Sequence, residues 1–172
     1  MTRVTNWLET HATGFRELDQ RERDAIADFS LLWSLFELRI LDNRGSITAL
    51  YGSVDEWASQ SSIDENLYAE ELQYFRERYL VAAHHKSNFI GLRIDNPKQV
   101  KFIQNVLSEK RSSKSDCLKA CLVIVYRYRN NLLHGEKWKH GMEGELSNFH
   151  TANSLLMKLL DRFGTLQRGE GH

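Results

Sequence analysis

SDCLKACLVIVYRYRNNLLHG, Ser115 to Gly135, decides how the chain is read. Its apolar residues do not alternate, so it is not a half-buried strand. Leu118, Leu122 and Val125 stand at i, i+4 and i+7, and Leu132 resumes the same line. That spacing is one face of an α-helix. Ser115 or Asp116 is placed to cap its start and Gly135 to stop it, so a helix is expected over 116–134. Position 129 continues the apolar line, yet it is Arg. A permanently charged guanidinium on a core-facing line is costly unless it is paired or reaches a wet cleft. The plainer alternative is a stem that packs while its head escapes to solvent.

Outward from this segment the same periodicity recurs. A first long helix is expected over about Leu18 to Leu41, with Ile26, Phe29, Trp33, Phe36 and Ile40 at helical spacing, ending at the turn Asp42-Asn43-Arg44-Gly45. Ser46 to Ser61 reads as one or two short helices. Ser62 with Glu65 has the capping-box form, opening a helix to about Ala83. His84 to Asp95 reads as a loop or broken segment, and Pro97 opens a helix with Val100, Ile103 and Leu107 inward. Lys110 to Ser115 is a basic linker, and a last helix covers about Glu145 to Phe163. One proline and ten glycines in 172 residues leave long uninterrupted stretches. The expectation is an all-α helical bundle with additional short helices, one domain over 1–172, frayed at 1–15 and 165–172.

Composition narrows the function classes. Charged residues make up 27% and hydrophobic ones 41%, the balance of an ordinary water-soluble domain. No run of eighteen apolar residues spans a membrane, and the N-terminus has no apolar secretory core, so a cytoplasmic protein is expected. A formal net charge of zero argues against coating nucleic acid by bulk attraction, but allows a local basic patch. Cys117 and Cys121 lie one turn apart without a second ligand pair, so buried thiols are expected rather than a metal site. No glycine-rich phosphate loop and no His-x-x-x-His occurs, and neither cofactor nor metal is expected.

A second misplaced charge stands in the first helix. Glu37 follows Phe36 and lies one turn from both Trp33 and Leu41. Two opposite charges on mostly apolar faces suggest that Glu37 accepts hydrogen bonds from Arg129 across a helix–helix groove; the equal alternative is a solvated Glu37 at the stripe's edge. His134 stands at the helix's C-terminal end, where the dipole favours imidazolium and suits acid/base chemistry, or simply caps the last carbonyls. Asn130 and His134 share a face, four residues apart.

Arg129-Asn130-Asn131-Leu132-Leu133-His134 resembles the Arg-x4–6-His signature of the HEPN superfamily, in its Arg-Asn-x-x-x-His form, at the end of a late helix where that family carries it. Asp28 to Leu41 resembles the family's long opening helix, whose acidic residue often faces the motif; Glu37 matches it. The resemblance implies a HEPN-like bundle that dimerises, so that two Arg/His sets line one cleft. It implies a metal-independent endoribonuclease of toxin–antitoxin, abortive-infection or anti-phage systems, with an antitoxin or defence-system partner protein. On that pattern His134 is the general acid or base, Arg129 stabilises charge on the phosphate, Asn130 orients the phosphate or the histidine, and Glu37 faces them. The resemblance departs at position 136, which is Glu where a large toxin group carries a tyrosine that its partner modifies.

RNA contacts are expected from Arg127, Lys137 and Lys139, which track phosphates, and from Tyr128, which stacks bases. Tyr126 reads rather as core or interface. Two alternatives stay open: a non-catalytic dimer of the same fold binding RNA, nucleotide or a partner protein, and an oligomerisation module without a ligand.

Overall fold

The computed structural model describes residues 2–12, 14–108, 112–133 and 145–164. Eight α-helices and no strand occur among them. They are α1 (Arg3–His11), α2 (Gln20–Arg39), α3 (Ile47–Ser59), α4 (Ala69–Arg76), α5 (His85–Ile90), α6 (Pro97–Ser108), α7 (Lys114–Leu133) and α8 (Leu146–Phe163).

The helix chosen from the sequence is the centre of the molecule. In α7, Leu118 and every residue from Ala120 to Val125 are fully buried. A helix apolar on all sides must be enclosed, and it is: α3, α4 and α6 pack around it. Leu50 and Val54 arrive from α3, and Ile103, Val106 and Leu107 from α6. Each large apolar side chain so enclosed contributes about 1.5–3 kcal/mol against remaining in water. The second layer is α2 against α8, with Phe29 and Phe149 rings 5.3 Å apart and Asn153 donating to the Ala25 carbonyl at 3.2 Å. Trp57 of α3 stacks on Phe163 of α8, ring centroids 3.9 Å apart.

Local chemistry sets the helix ends, in places differently from expectation. Asp19 caps α2 in a reciprocal box with Glu22, and Ser46 caps a single continuous α3. Ser62 is not a cap; its hydroxyl donates to the Gln60 carbonyl. Asp64 instead caps a 3-10 turn over Glu65–Leu67, α4 follows, and a π-helical turn over Glu77–Val81 closes with Ala82 N–H on the Glu77 carbonyl at 2.8 Å. The α7 cap is Ser113 rather than Ser115 or Asp116: its hydroxyl accepts from the Asp116 N–H at 3.1 Å and donates to the Asp116 carboxylate at 2.7 Å. Residues 3–11, expected to fray, form α1, anchored by the Arg23–Glu9 ion pair at 3.0 Å. The segment 165–172 lies outside the described residues.

Candidate active site at the end of α7

The last turns of α7 carry polar groups in four directions. Arg129 points to α2. Its Nη2 stands 3.7 Å from Glu37 Oε2, the two side chains being 25% and 22% exposed. That separation is a charge pair rather than a hydrogen bond. Nη1 donates to Asn130 Oδ1 at 3.0 Å, and Nε is buried with no partner among the described residues. A guanidinium has five N–H donors, so among the described residues most of Arg129's donors have no acceptor.

Glu37 is fixed from its own side. Trp33 Nε1 donates to Oε2 at 2.8 Å, and the Trp33 ring lies 5.9 Å from Tyr126 of α7. The turn after α2 closes over the carboxylate. Asp42 and Asn43 adopt φ of 51° and 57°, and Asn43 N–H bonds the Glu37 carbonyl at 3.0 Å. Left-handed backbone suits short polar residues such as these. This brings Gly45 so close that a Cβ there would fall 2.2 Å from Glu37 Oε1, while Tyr126 donates its hydroxyl to the Gly45 carbonyl at 3.3 Å. Trp33, Gly45 and Tyr126 thus position the pair, and none of the three was assigned to the site from sequence.

The other directions are structural. Tyr128 is 3% exposed, between Phe75 and Phe149. Its hydroxyl lies 2.6 Å from that of Tyr79 and 3.1 Å from Asn148 Oδ1, which also accepts from Tyr74 at 2.7 Å. Asn148 donates in turn to Glu145, which faces Arg78 at 3.5 Å. Burial pushes the Tyr79 and Tyr128 phenols well above their ordinary range, so both stay protonated. Tyr128 therefore offers no ring face to a base, and its expected stacking role is corrected: it fits the apolar line three residues after Val125 and is core. Arg127 also has a structural task, donating Nε to the Leu92 carbonyl at 2.8 Å and Nη2 to the Arg93 carbonyl. Asn131 donates to the Gly91 carbonyl at 3.0 Å. Together these bonds tie the segment after α5 to α7.

Of the residues expected at the site, Arg129, Asn130 and Glu37 are brought together. His134, Lys137 and Lys139 lie outside the described residues. Among the described residues no cluster of three His, Cys, Asp or Glu side chains is placed to hold a metal ion. Cys117 and Cys121 are free and buried. No described helix is long and apolar enough to cross a membrane.

No family model, no curated protein and no solved structure matches this chain.

Proposed function

We propose that the chain is a metal-independent endoribonuclease of the HEPN kind, acting in a toxin, abortive-infection or anti-phage setting. One observation carries the reading: Arg129, near the end of the central helix, is held half-buried against Glu37 of the long α2, with donors that find no acceptor among the described residues. Such a cation, preorganised in a partly dry setting, acts most strongly on charge that develops during reaction. Five residues on in sequence stands His134. In the proposed reaction His134 takes the proton of a ribose 2′-OH. The 2′-oxygen attacks the adjacent phosphorus, and the 5′-oxygen leaves with a proton returned by an imidazolium. The products are a 2′,3′-cyclic phosphate and a 5′-hydroxyl. Arg129 stabilises the charge on the equatorial phosphate oxygens, and Glu37 positions Arg129.

A homodimer belongs to the proposal. Leu31, Leu38 and Met157 are 71%, 50% and 48% exposed. Leu31 and Met157 line a groove of about 380 Å³ between α2 and α8. Glu37 is one residue, about 100° around α2, from Leu38, so a copy seated there would flank the Arg129 pair. An antitoxin or other defence partner is part of the same reading.

The deciding experiment incubates the protein with labelled RNA and with DNA in EDTA, beside Arg129→Ala, Arg129→Lys and His134→Ala. RNA cleavage that leaves a cyclic phosphate and falls roughly 100-fold or more in each variant is expected, with DNA untouched. Cleavage that persists in Arg129→Ala, or that needs a divalent ion, overturns the reading. Binding without cleavage selects the non-catalytic alternative of the same fold.

A further inference from the structure

The zero net charge conceals a separation of sign. Residues 55–77 hold seven carboxylates and one cation, a net −6, whereas residues 78–114 hold eight lysines and arginines against Asp95 and Glu109, a net +6. A groove of about 530 Å³ lies between the π-helical turn, α5 and α6, and its lining residues all fall within this basic stretch of sequence. Leu80, Phe89 and Ile90 give it apolar lining, Ile90 being 74% exposed, and the buried Tyr79 also borders it, its ring edge to face with that of Phe89 at 6.1 Å. Gln104, Asn105, His85 and Lys86 line it as well, the two amides and Lys86 being exposed. Lys101 precedes Gln104 and Asn105 by one helical turn and Lys98 by two, on the same side of α6. Lys86, Lys98 and Lys101 are exposed, and none is paired with a carboxylate among the described residues.

The geometry points to a binding track for single-stranded RNA along α5 and α6, apart from the Arg129 pair and formed by none of the residues expected to contact RNA. It rests on the reading that the chain acts on RNA, and adds where the strand beyond the scissile bond lies. Unpaired bases need an apolar or aromatic platform, edges of amide character and cations along the backbone. The groove supplies all three. Cations without internal partners are also what counterion release by phosphates requires. The track is joined to the site mechanically. Tyr79, which borders it, bonds Tyr128, the residue before Arg129, and Arg127 grips the carbonyls just after α5.

The test uses the full chain and a fluorescent 2′-O-methyl single-stranded oligonucleotide, which lacks the attacking hydroxyl, so anisotropy reads binding independently of cleavage. Lys86→Glu/Lys101→Glu should weaken binding at least tenfold and reduce the salt slope by about one to two. Gln104→Ala/Asn105→Ala should weaken it severalfold. Arg21→Glu, at an exposed cation on α2, should change little. Wild-type affinity in the double charge reversal, equal weakening by Arg21→Glu, no binding by the wild type, or full displacement by equimolar AMP each overturns the track. Binding that depends on Lys86 and Lys101 without cleavage of natural RNA leaves the track standing and removes the nuclease. Arg129-dependent cleavage that ignores both lysines does the reverse.

Discussion

The Glu37 carboxylate faces the Arg129 guanidinium at 3.7 Å and takes the Trp33 indole N–H on the same oxygen. Glu37→Ala strips both partners at once. A half-buried indole N–H left without its acceptor and a half-buried cation left without its counter-charge cost about 1–3 kcal/mol, a fall in Tm of roughly 2–12 °C for a chain of this size. Glu37→Gln keeps an acceptor for Trp33 but loses the charge, so its Tm should fall less while RNA cleavage falls as far as in Glu37→Ala. Calorimetry beside a cleavage assay separates the two effects. Equal melting with wild-type cleavage in both variants would show the pair to be idle.

Gly45 offers a gentler perturbation of the same carboxylate. A Cβ at this position meets Glu37 Oε1 at 2.2 Å, and the group it meets is the far end of a flexible side chain. Gly45→Ala should therefore fold, with Tm lowered by no more than in Glu37→Ala, and push Glu37 off Trp33 and Arg129. Cleavage roughly tenfold lower, with Trp33 fluorescence shifted, is expected from a displacement of this kind. Full activity in Gly45→Ala means that the placement of Glu37 is not used.

What the sequence made legible follows from which signals are local. The helical course of α2, α6, α7 and α8 could be read because apolar spacing is a property of one segment at a time; that α7 is buried on every side, beyond the one face read from Leu118, Leu122 and Val125, could not. The Arg129–Glu37 pair was legible for a related reason: two opposite charges interrupted two otherwise apolar faces. Tyr128 was misplaced because an aromatic among cations looks the same facing a base or facing Phe75; only the position of α4 and α8 decides. The π-helical turn was hidden, since its Tyr79 reaches Tyr128, forty-nine residues on, a contact that no local spacing announces. Helix α1 has Val4, Trp7 and Leu8 at helical spacing but is short and buries none of them, with Val4 and Trp7 65% and 57% exposed. Its anchor, Glu9 to Arg23, is invisible to periodicity.

The Tyr79–Tyr128 contact makes a quantitative case for coupling. Either hydroxyl can donate at 2.6 Å, and Tyr128 also reaches Asn148. Removing one hydroxyl from a buried pair leaves the other short of a partner, at about 1 kcal/mol or somewhat more. Tyr79→Phe and Tyr128→Phe should each destabilise, and the double variant should cost less than their sum by about 0.5 kcal/mol or more. Strict additivity in urea unfolding would show that the two hydroxyls act separately.

The exposed leucines of α2 bear on assembly. Light scattering should give about twice the chain mass of 20.1 kDa for the wild type. Leu31→Glu with Met157→Glu should return it to one chain mass without loss of helicity, because both side chains are exposed. If the two copies share one cleft, cleavage falls with the dimer. A monomeric wild type at micromolar concentration removes the homodimer from the proposal.

Alkaline pH should unfold the protein early, and the sign can be worked out from the buried groups. Burial raises the phenols of Tyr51, Tyr68, Tyr74, Tyr79 and Tyr128 and the thiols of Cys117 and Cys121. In the unfolded chain the thiols lose their protons near about 8.5 and the phenols near about 10. The folded chain still holds them there, so above those values the unfolded state binds fewer protons and stability declines as pH rises. The contribution is complete below about pH 8, begins to fall through the thiol range, and falls steeply above about pH 10 until the folded-state values are reached. Urea midpoints at pH 8, 9.5 and 10.5 should drop in that order. Phenolate absorbance from the buried tyrosines should appear together with the loss of helix rather than before it. Tyr79→Phe should flatten the decline above pH 10 while lowering stability at pH 8. Phenolate signal from all six tyrosines in a chain still fully helical would mean that these phenols are not enclosed as described.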